Sequence, residues 1–200
     1  MDPLARTTGS KAHFVPTARN WMSPVTGPVW TRRPHLAGSW EGGGNMILVR
    51  ERVGLEVSGS AYAVLTRLPE RRVVQLVRLG VGPDIYNLHA STGPEGAARD
   101  VLGAARFASN HSGSRPFVLG GDLNCRPATG HPFTDLSRLI GIASPPPGMR
   151  GSIDHLLARG LRVIEPPRAL EPEFREVVDP RSGRLVRLSD HAPVVGLFGA

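Results

Sequence analysis

The sequence contains one cysteine, Cys125, and only one lysine, Lys11, among its 24 basic residues. A single thiol cannot form an internal disulfide, so the chain is not a disulfide-stabilised scaffold and requires no oxidising compartment. No stretch approaches the roughly 18 consecutive apolar residues of a membrane-spanning helix. The N-terminus also lacks the charged-then-apolar pattern of a signal peptide. The sequence therefore predicts a cytoplasmic protein without a membrane span.

Nearly all of the positive charge comes from arginine, and the formal net charge is +7. A basic surface favours polyanionic or phosphorylated partners, nucleic acids among them. An arginine-rich composition is equally typical of a GC-rich genome. No run of five basic residues occurs, so the positive charge is diffuse and predicts no concentrated docking patch.

Length and composition fit a single domain over residues 1–200, with 40% apolar and 20% charged residues. Residues 1–43 are predicted to be irregular apart from a short strand at 12–16. They include a long loop at 20–43 that carries all three tryptophans. From residue 44 onward, short apolar runs are bounded by turn residues, which predicts strands. The predicted strands are 46–49, 61–66, 72–79, 84–89, 116–119, 153–157, 161–164 and 192–198, and the predicted helices are 94–110 and 133–140.

Two features of these strands allow more detailed expectations. Residues 61–89 hold three strands with short connections, which indicates an antiparallel meander. The strand at 72–79 partly alternates between apolar and polar residues, so one of its faces is expected to meet solvent. The strand at 116–119 is followed by Gly120 and Gly121, which are expected to end the regular pairing.

Polar side chains capable of chemistry lie at the ends of four predicted strands. They are His89, the pair Asp122 and Asn124, Asp154, and the pair Asp190 and His191. Strand ends at one edge of a sheet are where catalytic side chains gather in layered α/β proteins. The set contains no serine or cysteine nucleophile. It offers oxygen ligands for a hard cation, together with imidazoles for proton transfer or charge stabilisation.

Neighbours of these groups have simpler interpretations. Asp122 and Asn124 are two residues apart, so an extended segment would point both toward the same face. His155 follows Asp154 directly, should point to the opposite face and is predicted to be structural. Asn87 is equally suited to fixing a turn and to contacting a substrate, and Asn45 is predicted to support the loop beside the site.

Five short motifs, in order along residues 44–198, resemble those of the endonuclease/exonuclease/phosphatase superfamily. They are Gly44-Asn45-Met46-Ile47-Leu48, Asn87-Leu88-His89, Gly121-Asp122-Leu123-Asn124, Ser152-Ile153-Asp154-His155, and Ser189-Asp190-His191-Ala192-Pro193-Val194. Each motif alone is weak, but the ordered set is specific. The resemblance implies an α+β fold, a four-layer α/β/β/α sandwich of two mainly antiparallel sheets flanked by helices.

The same resemblance implies a metal-dependent phosphoesterase, that is, a nuclease or phosphatase. Asp122 would activate the attacking water, and Asn124 would contact the phosphate. His191 would bind a phosphate oxygen or shuttle a proton while Asp154 accepts a hydrogen bond from its other nitrogen. His89 would donate to the phosphate in the transition state, and Asp190 would hold the cation. Mg²⁺ suits carboxylate and water ligands best, and Mn²⁺ is an alternative.

One part of the family pattern is missing. The family has an Asn at the end of its first strand and a metal-binding Glu, usually in a Gln-Glu pair, some tens of residues later. The first Glu here is Glu41, in a context that does not match. The resemblance therefore implies that the first strand region of the fold is absent from this sequence.

Three explanations account for the missing ligands. The true start lies upstream of Met1, another chain supplies the ligands, or the protein is a degenerate relative. The first is favoured because the other motifs are intact. Under the third, the alternative function is a non-catalytic module that binds nucleic acid or phosphorylated ligands.

Overall fold

The computed structural model describes residues 3–17, 43–51, 56–68, 70–142 and 145–199, with an α+β architecture. Within these ranges the helices are α1 (Pro3–Thr8), α2 (Pro94–Ser112) and α3 (Phe133–Ile140). The strands are β1 (Ser10–Pro16), β2 (Gly44–Arg50), β3 (Val57–Thr66), β4 (Arg72–Leu79), β5 (Asp84–Leu88), β6 (Phe117–Asp122), β7 (Asp154–Arg159), β8 (Arg162–Ala169), β9 (Glu176–Val178), β10 (Leu185–Arg187) and β11 (Val194–Gly199).

A five-stranded sheet in the order β3-β4-β5-β6-β7 forms the centre of the fold. Strands β3, β4 and β5 form an antiparallel meander, which confirms the prediction for residues 61–89. Strand β6 then pairs parallel to β5, because α2 carries the chain back across the sheet before β6 begins. Consequently the C-terminal ends of β5 and β6 lie at the same edge of the sheet.

Helices α2 and α3 cover one face of this sheet and enclose the main core. Helix α2 begins at Pro94, whose fixed φ and missing N–H suit the first turn. Its apolar face includes Ala97, Val101 and Ala104, which pack against Tyr86 and Phe117 of the sheet. Burial of these groups is the main stabilising contribution to the fold.

Two antiparallel ladders form a second layer, so the described residues build the predicted sandwich with its second sheet in two parts. The ladder of β1 and β2 contacts β4 and β5, and the ladder of β8 and β11 contacts β7. A third small ladder joins β9 to β10, which the sequence analysis did not predict.

The sequence-based expectation for β4 is wrong. Every residue of β4 except Arg78 is buried, because the helices cover one face and the β1–β2 ladder the other. The polar residues are accommodated by specific bonds, such as that from the Gln75 amide to the His13 carbonyl at 2.8 Å. Apart from Arg78, the polar residues that alternate with apolar ones in this strand are therefore buried rather than exposed to solvent.

The N-terminal part is also more regular than the sequence analysis predicted, since residues 3–17 contain α1 and a seven-residue β1. Strand β1 runs antiparallel to β2 over its whole length, from Ser10 opposite Arg50 to Pro16 opposite Gly44. The predicted loop at 20–43 with its three tryptophans lies outside the described residues. No helix in the described ranges is both long and apolar enough to cross a membrane.

Candidate active site

The predicted polar groups at the ends of β5, β6 and β7 lie at one edge of the central sheet. His89 directly follows β5, and Asp122 is the last residue of β6. Strand β7 runs antiparallel to β6, and its first residue, Asp154, lies directly opposite Asp122. Chain topology alone therefore places these two carboxylates side by side.

His191 joins this pair from the segment that precedes β11. Its Nδ1 lies 2.8 Å from Asp154 Oδ2, a short hydrogen bond that fixes the orientation of the ring. Ligand atoms of Asp122, Asp154 and His191 all lie within 4.8 Å of one another. The structure thus brings together three of the predicted site residues in one group.

The segment carrying His191 is held from both sides. Arg175 Nη1 donates to the Asp190 carbonyl at 2.6 Å, and the Leu170 amide donates to the Pro193 carbonyl at 2.8 Å. Arg175 belongs to the short 3₁₀ turn (Pro172–Arg175) before β9. This turn, which the sequence analysis did not predict, therefore helps to position His191, a predicted site residue.

The pKa values of His191 and Asp154 are both raised, the first by the hydrogen bond between them and the second by burial. The hydrogen bond that His191 donates to Asp154 raises the pKa of His191 above its ordinary value, which favours the imidazolium near neutral pH. Burial raises the pKa of Asp154, against the lowering effect of His191, and the neighbouring Asp122 raises it further. The pair has the arrangement in which a carboxylate fixes the histidine tautomer and leaves Nε2 available.

His89 lies on the other side of Asp122, with its Nε2 3.6 Å from Asp122 Oδ2. That separation is too long for a direct hydrogen bond and suits a shared water or substrate oxygen. Burial lowers the pKa of His89, and the positive charge of Arg72 lowers it further. His89 is therefore mainly neutral at pH 7 and presents one N–H and one lone pair.

Asn124 is not in an extended segment, so the expectation based on two-residue spacing is wrong. Its backbone has a φ of +49°, and its amide N–H donates to Asp122 Oδ1 at 2.9 Å, which closes a tight turn. Its Nδ2 donates to the Ala90 carbonyl at 2.9 Å. One side-chain hydrogen of Asn124 is used for positioning, and the amide has a second available for another acceptor.

The sequence analysis expected Gly120 and Gly121 to end the regular pairing, but the sheet continues past them. Pairing with β5 stops at Gly120, but pairing with β7 continues through Gly121 to Asp122. Gly121 has a φ of +127°, and a Cβ there would collide with the Leu88 carbonyl. A glycine is required because the backbone of β6 passes this close to the end of β5.

Several neighbours support the site without forming part of it. His155 is buried, and its Nε2 lies 2.9 Å from the Ser152 carbonyl, which agrees with the predicted structural role. Asn45 donates to the Val73 carbonyl at 2.7 Å, and Asn87 donates to the Met46 carbonyl at 3.2 Å. Both amides therefore tie β2 to the central sheet.

Sequence reasoning missed two supporting groups. Asp100, on α2, is fully buried and accepts hydrogen bonds from Thr66 Oγ1 at 2.6 Å and from Ser91 Oγ at 2.6 Å and its amide at 3.0 Å. It thereby fixes the turn that follows His89. Arg72 pairs with Glu70, and its charge acts on His89. A carboxylate on the apolar face of a predicted helix was the one available signal for Asp100.

The donor chemistry at this edge fits a divalent cation. Asp122 and Asp154 supply carboxylate oxygens, and His191 supplies a nitrogen. Asp190, the predicted metal ligand, is exposed and forms no ion pair within the described part of the chain. It is not a member of the three-residue group, so its role as a ligand stays a prediction.

Comparison with known proteins identifies the family. A sequence profile described as endonuclease/exonuclease/phosphatase family matches residues 5–191. The chain belongs to this family. The match begins well before residue 44 and includes every predicted site residue. Family membership assigns the protein to the phosphoesterase class, whose members hydrolyse phosphate esters and typically depend on a divalent metal.

Solved structures show the same fold at low sequence identity. An endonuclease/exonuclease/phosphatase family protein from Bacteroides thetaiotaomicron has a TM-score of 0.60 and 15% identity, covering 94% of this chain and 74% of that one. The human Nocturnin catalytic domain with bound sulfate has a TM-score of 0.59 and 18% identity, covering 98% and 74%. D. rerio TDP2 in complex with a single-strand DNA product has a TM-score of 0.57 and 12% identity, covering 94% and 86%. No curated protein matches the chain in sequence.

Proposed function

We propose that the protein is a Mg²⁺-dependent phosphoesterase that cleaves a phosphodiester or phosphomonoester by attack of water on phosphorus. The observation that carries this proposal is the side-by-side arrangement of Asp122 and Asp154, with His191 bonded to Asp154 at 2.8 Å and His89 at 3.6 Å from Asp122. Carboxylates beside two imidazoles whose pKa values are shifted in opposite directions suit proton transfer and phosphate binding.

Asp122 is the proposed general base. Its Oδ1 accepts the Asn124 amide N–H, which holds the carboxylate in one orientation. Its Oδ2 faces His89 across a gap of 3.6 Å, where a water molecule can be held by both groups. Asp122 takes the proton of this water as its oxygen attacks phosphorus.

Three side chains are proposed to bind the phosphate as its charge increases. His191 donates from Nε2 because its Nδ1 is engaged by Asp154, and the hydrogen bond to Asp154 raises the pKa of His191, which favours the protonated ring. Asn124 donates its second amide hydrogen, and His89 donates as a neutral imidazole. Preorganised donors of this kind stabilise the transition state more than the ground state.

We propose that Asp190, at the mouth of the site, holds Mg²⁺, with Mn²⁺ as a substitute. When bound, such a cation neutralises phosphate charge and stabilises the leaving oxygen. The support is the exposed carboxylate of Asp190 next to His191, without an ion-pair partner among the described residues. Oxygen ligands favour Mg²⁺ over Zn²⁺.

Nucleic acid is the favoured substrate class within this proposal. The formal net charge of +7 suits a polyanion. D. rerio TDP2, which shares the fold, is described in complex with single-strand DNA.

The test is hydrolysis of bis-p-nitrophenyl phosphate and of plasmid DNA, with Mg²⁺ and with EDTA. We expect Mg²⁺-dependent turnover that EDTA removes and Mn²⁺ restores. Asp122→Ala should lose this turnover, whereas Glu165→Ala, at an exposed carboxylate on β8, should retain it. A folded chain with no turnover above that of Asp122→Ala would contradict the proposal and favour a binding module.

A further inference from the structure

A cavity of about 640 Å³ lies between the first half of α2 and the loop 124–131. Helix α2 contributes Pro94, Ala98, Leu102 and Arg106, which recur every four residues and so share one face. The volume falls within the range of small-molecule sites, about 300–1,000 Å³. The cavity is therefore large enough for a ligand that is bigger than a phosphate.

This cavity borders the candidate active site at Asn124, which lines the cavity and follows Asp122 by two residues. The Asn124 side chain lines the cavity, and its Nδ2 is bonded to the Ala90 carbonyl next to His89. Helix α2 forms one wall of the cavity, and the loop that follows β6 forms the other. A group bound in the cavity is thus adjacent to a phosphate held by Asn124.

The inner surface of the cavity is apolar. Ala98 is 3% exposed and Cys125 is 7% exposed, and Leu102 lies beside them. Burial raises the pKa of the Cys125 thiol to about 11, so this side chain is neutral at physiological pH. This surface suits the flat face of an uncharged ring and does not suit a polyhydroxylated ligand.

The outer surface is basic. Arg99, Arg106 and Arg126 line it, and Glu95 is the one acidic side chain among the lining residues. Arg126 Nε donates to the Gly151 carbonyl at 3.2 Å, which fixes the stem and leaves the terminal nitrogens available. Arg99 is held by Thr66 Oγ1 at 3.3 Å. Positioned guanidinium groups of this kind bind phosphate oxygens.

We propose that this cavity binds the nucleoside next to the scissile phosphate of a nucleotide substrate. The base lies on the apolar surface of Ala98, Leu102 and Cys125, and the neighbouring phosphate lies on Arg99 and Arg126. This inference rests on the proposed phosphoesterase function and identifies its substrate as a nucleotide or a short nucleic-acid segment. An inositol phosphate would use the arginines but not the apolar surface.

Two chromogenic substrates with the same leaving group test the assignment. Bis-p-nitrophenyl phosphate lacks a nucleoside, and thymidine 3′-phosphate 5′-(p-nitrophenyl phosphate) carries one together with a neighbouring phosphate. We expect Arg126→Glu to lower kcat/KM for the thymidine substrate about tenfold more than for bis-p-nitrophenyl phosphate. Arg162→Glu, which reverses an exposed arginine at the start of β8, should change neither. Equal losses on both substrates would overturn the proposal.

Filling the cavity gives an independent variant. Ala98→Phe places a ring where the base is expected and should raise KM for the thymidine substrate without a matching change for bis-p-nitrophenyl phosphate. Arg126→Glu is on the surface and folds independently of this change, so a failure of Ala98→Phe to fold leaves the first comparison decisive.

A binding measurement separates this inference from the proposed catalysis. Thymidine 3′,5′-bisphosphate is titrated into the full chain in EDTA by calorimetry, with inositol 1,4,5-trisphosphate as the comparison. We expect the nucleotide to bind more tightly than the inositol phosphate, and Arg126→Glu to weaken nucleotide binding about tenfold. If the chain binds the nucleotide in an Arg126-dependent way but shows no turnover, the catalytic proposal is contradicted and the nucleoside assignment is not. Equal binding of both ligands, or binding unaffected by Arg126→Glu, would sink the nucleoside assignment.

Discussion

Strand β5 has a carboxylate at one end and an imidazole at the other, and the two ends differ in how fully their charges are compensated. At its start, Asp84 is completely buried, with Arg78 Nη2 at 2.9 Å, Arg115 Nε at 3.3 Å and Ser112 Oγ at 2.8 Å. Just past its other end, His89 faces Asp122 across 3.6 Å. The first group is saturated with partners, and the second is not.

The titrations reflect this difference. Burial alone would raise the pKa of Asp84, but hydrogen bonds from Arg78 and Ser112, with the charges of Arg78 and Arg115, lower it. At the other end, burial raises the pKa of Asp154 and lowers that of His89. Saturated ionic groups hold a fold together, whereas incompletely compensated groups at an exposed edge are available for chemistry.

Removing the His191 imidazole, which lies at the same edge of the central sheet as His89, should have the largest effect on turnover. His191→Ala removes a hydrogen-bond donor to the phosphate and leaves Asp154 without its hydrogen-bond partner. We therefore expect kcat to fall by about 10³-fold. The measurement is bis-p-nitrophenyl phosphate hydrolysis with Mg²⁺. His111→Ala, at an exposed histidine near the far end of α2, is the matched control and should keep full activity. Equal rates in the two variants would remove His191 from the site.

Substitution of Asp84, at the start of β5, should instead change the stability of the fold. Asp84→Ala leaves Arg78 and Arg115 without their buried partner, so we expect a loss of about 3–5 kcal/mol in the free energy of unfolding. Urea denaturation at pH 7 measures it, and Glu165→Ala, at an exposed carboxylate on β8, should show little change. A wild-type unfolding midpoint for Asp84→Ala would show that this network does not stabilise the fold.

Asp100 is a buried carboxylate that supports the turn after His89, so its substitution should lower turnover by less than the loss of His191. Asp100→Asn keeps the side-chain shape but replaces one acceptor oxygen with a donor, which weakens the bonds that hold Ser91 and Thr66. We expect kcat to fall about tenfold, because the turn after His89 is displaced, with little change in KM. Asp135→Asn on α3 is the control. A loss of stability without any change in kcat would assign Asp100 a purely structural role.

The smallest predicted effect is the pH dependence of the unfolding free energy that Asp84 contributes. Because the pKa of Asp84 is lowered on folding, its contribution is fully present above the unfolded value of about 3.9 and is lost as pH falls through the lower folded value. The gap in unfolding free energy between the wild type and Asp84→Asn should therefore narrow below about pH 4. Urea titrations from pH 7 to pH 2 measure it. A gap that stays constant to pH 2 would mean that Asp84 does not titrate differently on folding.

Much of the candidate site follows from local sequence signals. Apolar runs locate β5, β6 and β7. His89 follows β5, Asp122 is the last residue of β6, and Asp154 is the first residue of β7. The family motifs add Asn124, Asp190 and His191 to the predicted set, and the family match over residues 5–191 confirms the resemblance that suggested them. Strand ends are predictable because the change from apolar to polar residues is abrupt there.

Long-range contacts account for the errors. Strand β4 is buried on both faces because the β1–β2 ladder, distant in sequence, covers Gln75. The turn at Asn124 depends on the Ala90 carbonyl, which β5 delivers to that position. The bond between Arg175 and the Asp190 carbonyl likewise joins two segments with no common periodic pattern. A one-dimensional pattern cannot specify which distant groups will satisfy a polar side chain.

The most direct test of the contrast between the two ends is a pair of conservative variants measured for both kcat and unfolding free energy. Asp122→Asn and Asp84→Asn each remove one negative charge and keep the side-chain shape. We predict that Asp122→Asn abolishes Mg²⁺-dependent hydrolysis while unfolding like the wild type, and that Asp84→Asn is destabilised while its folded fraction keeps the wild-type kcat. An Asp122→Asn variant that still turns over at the wild-type rate would contradict the account.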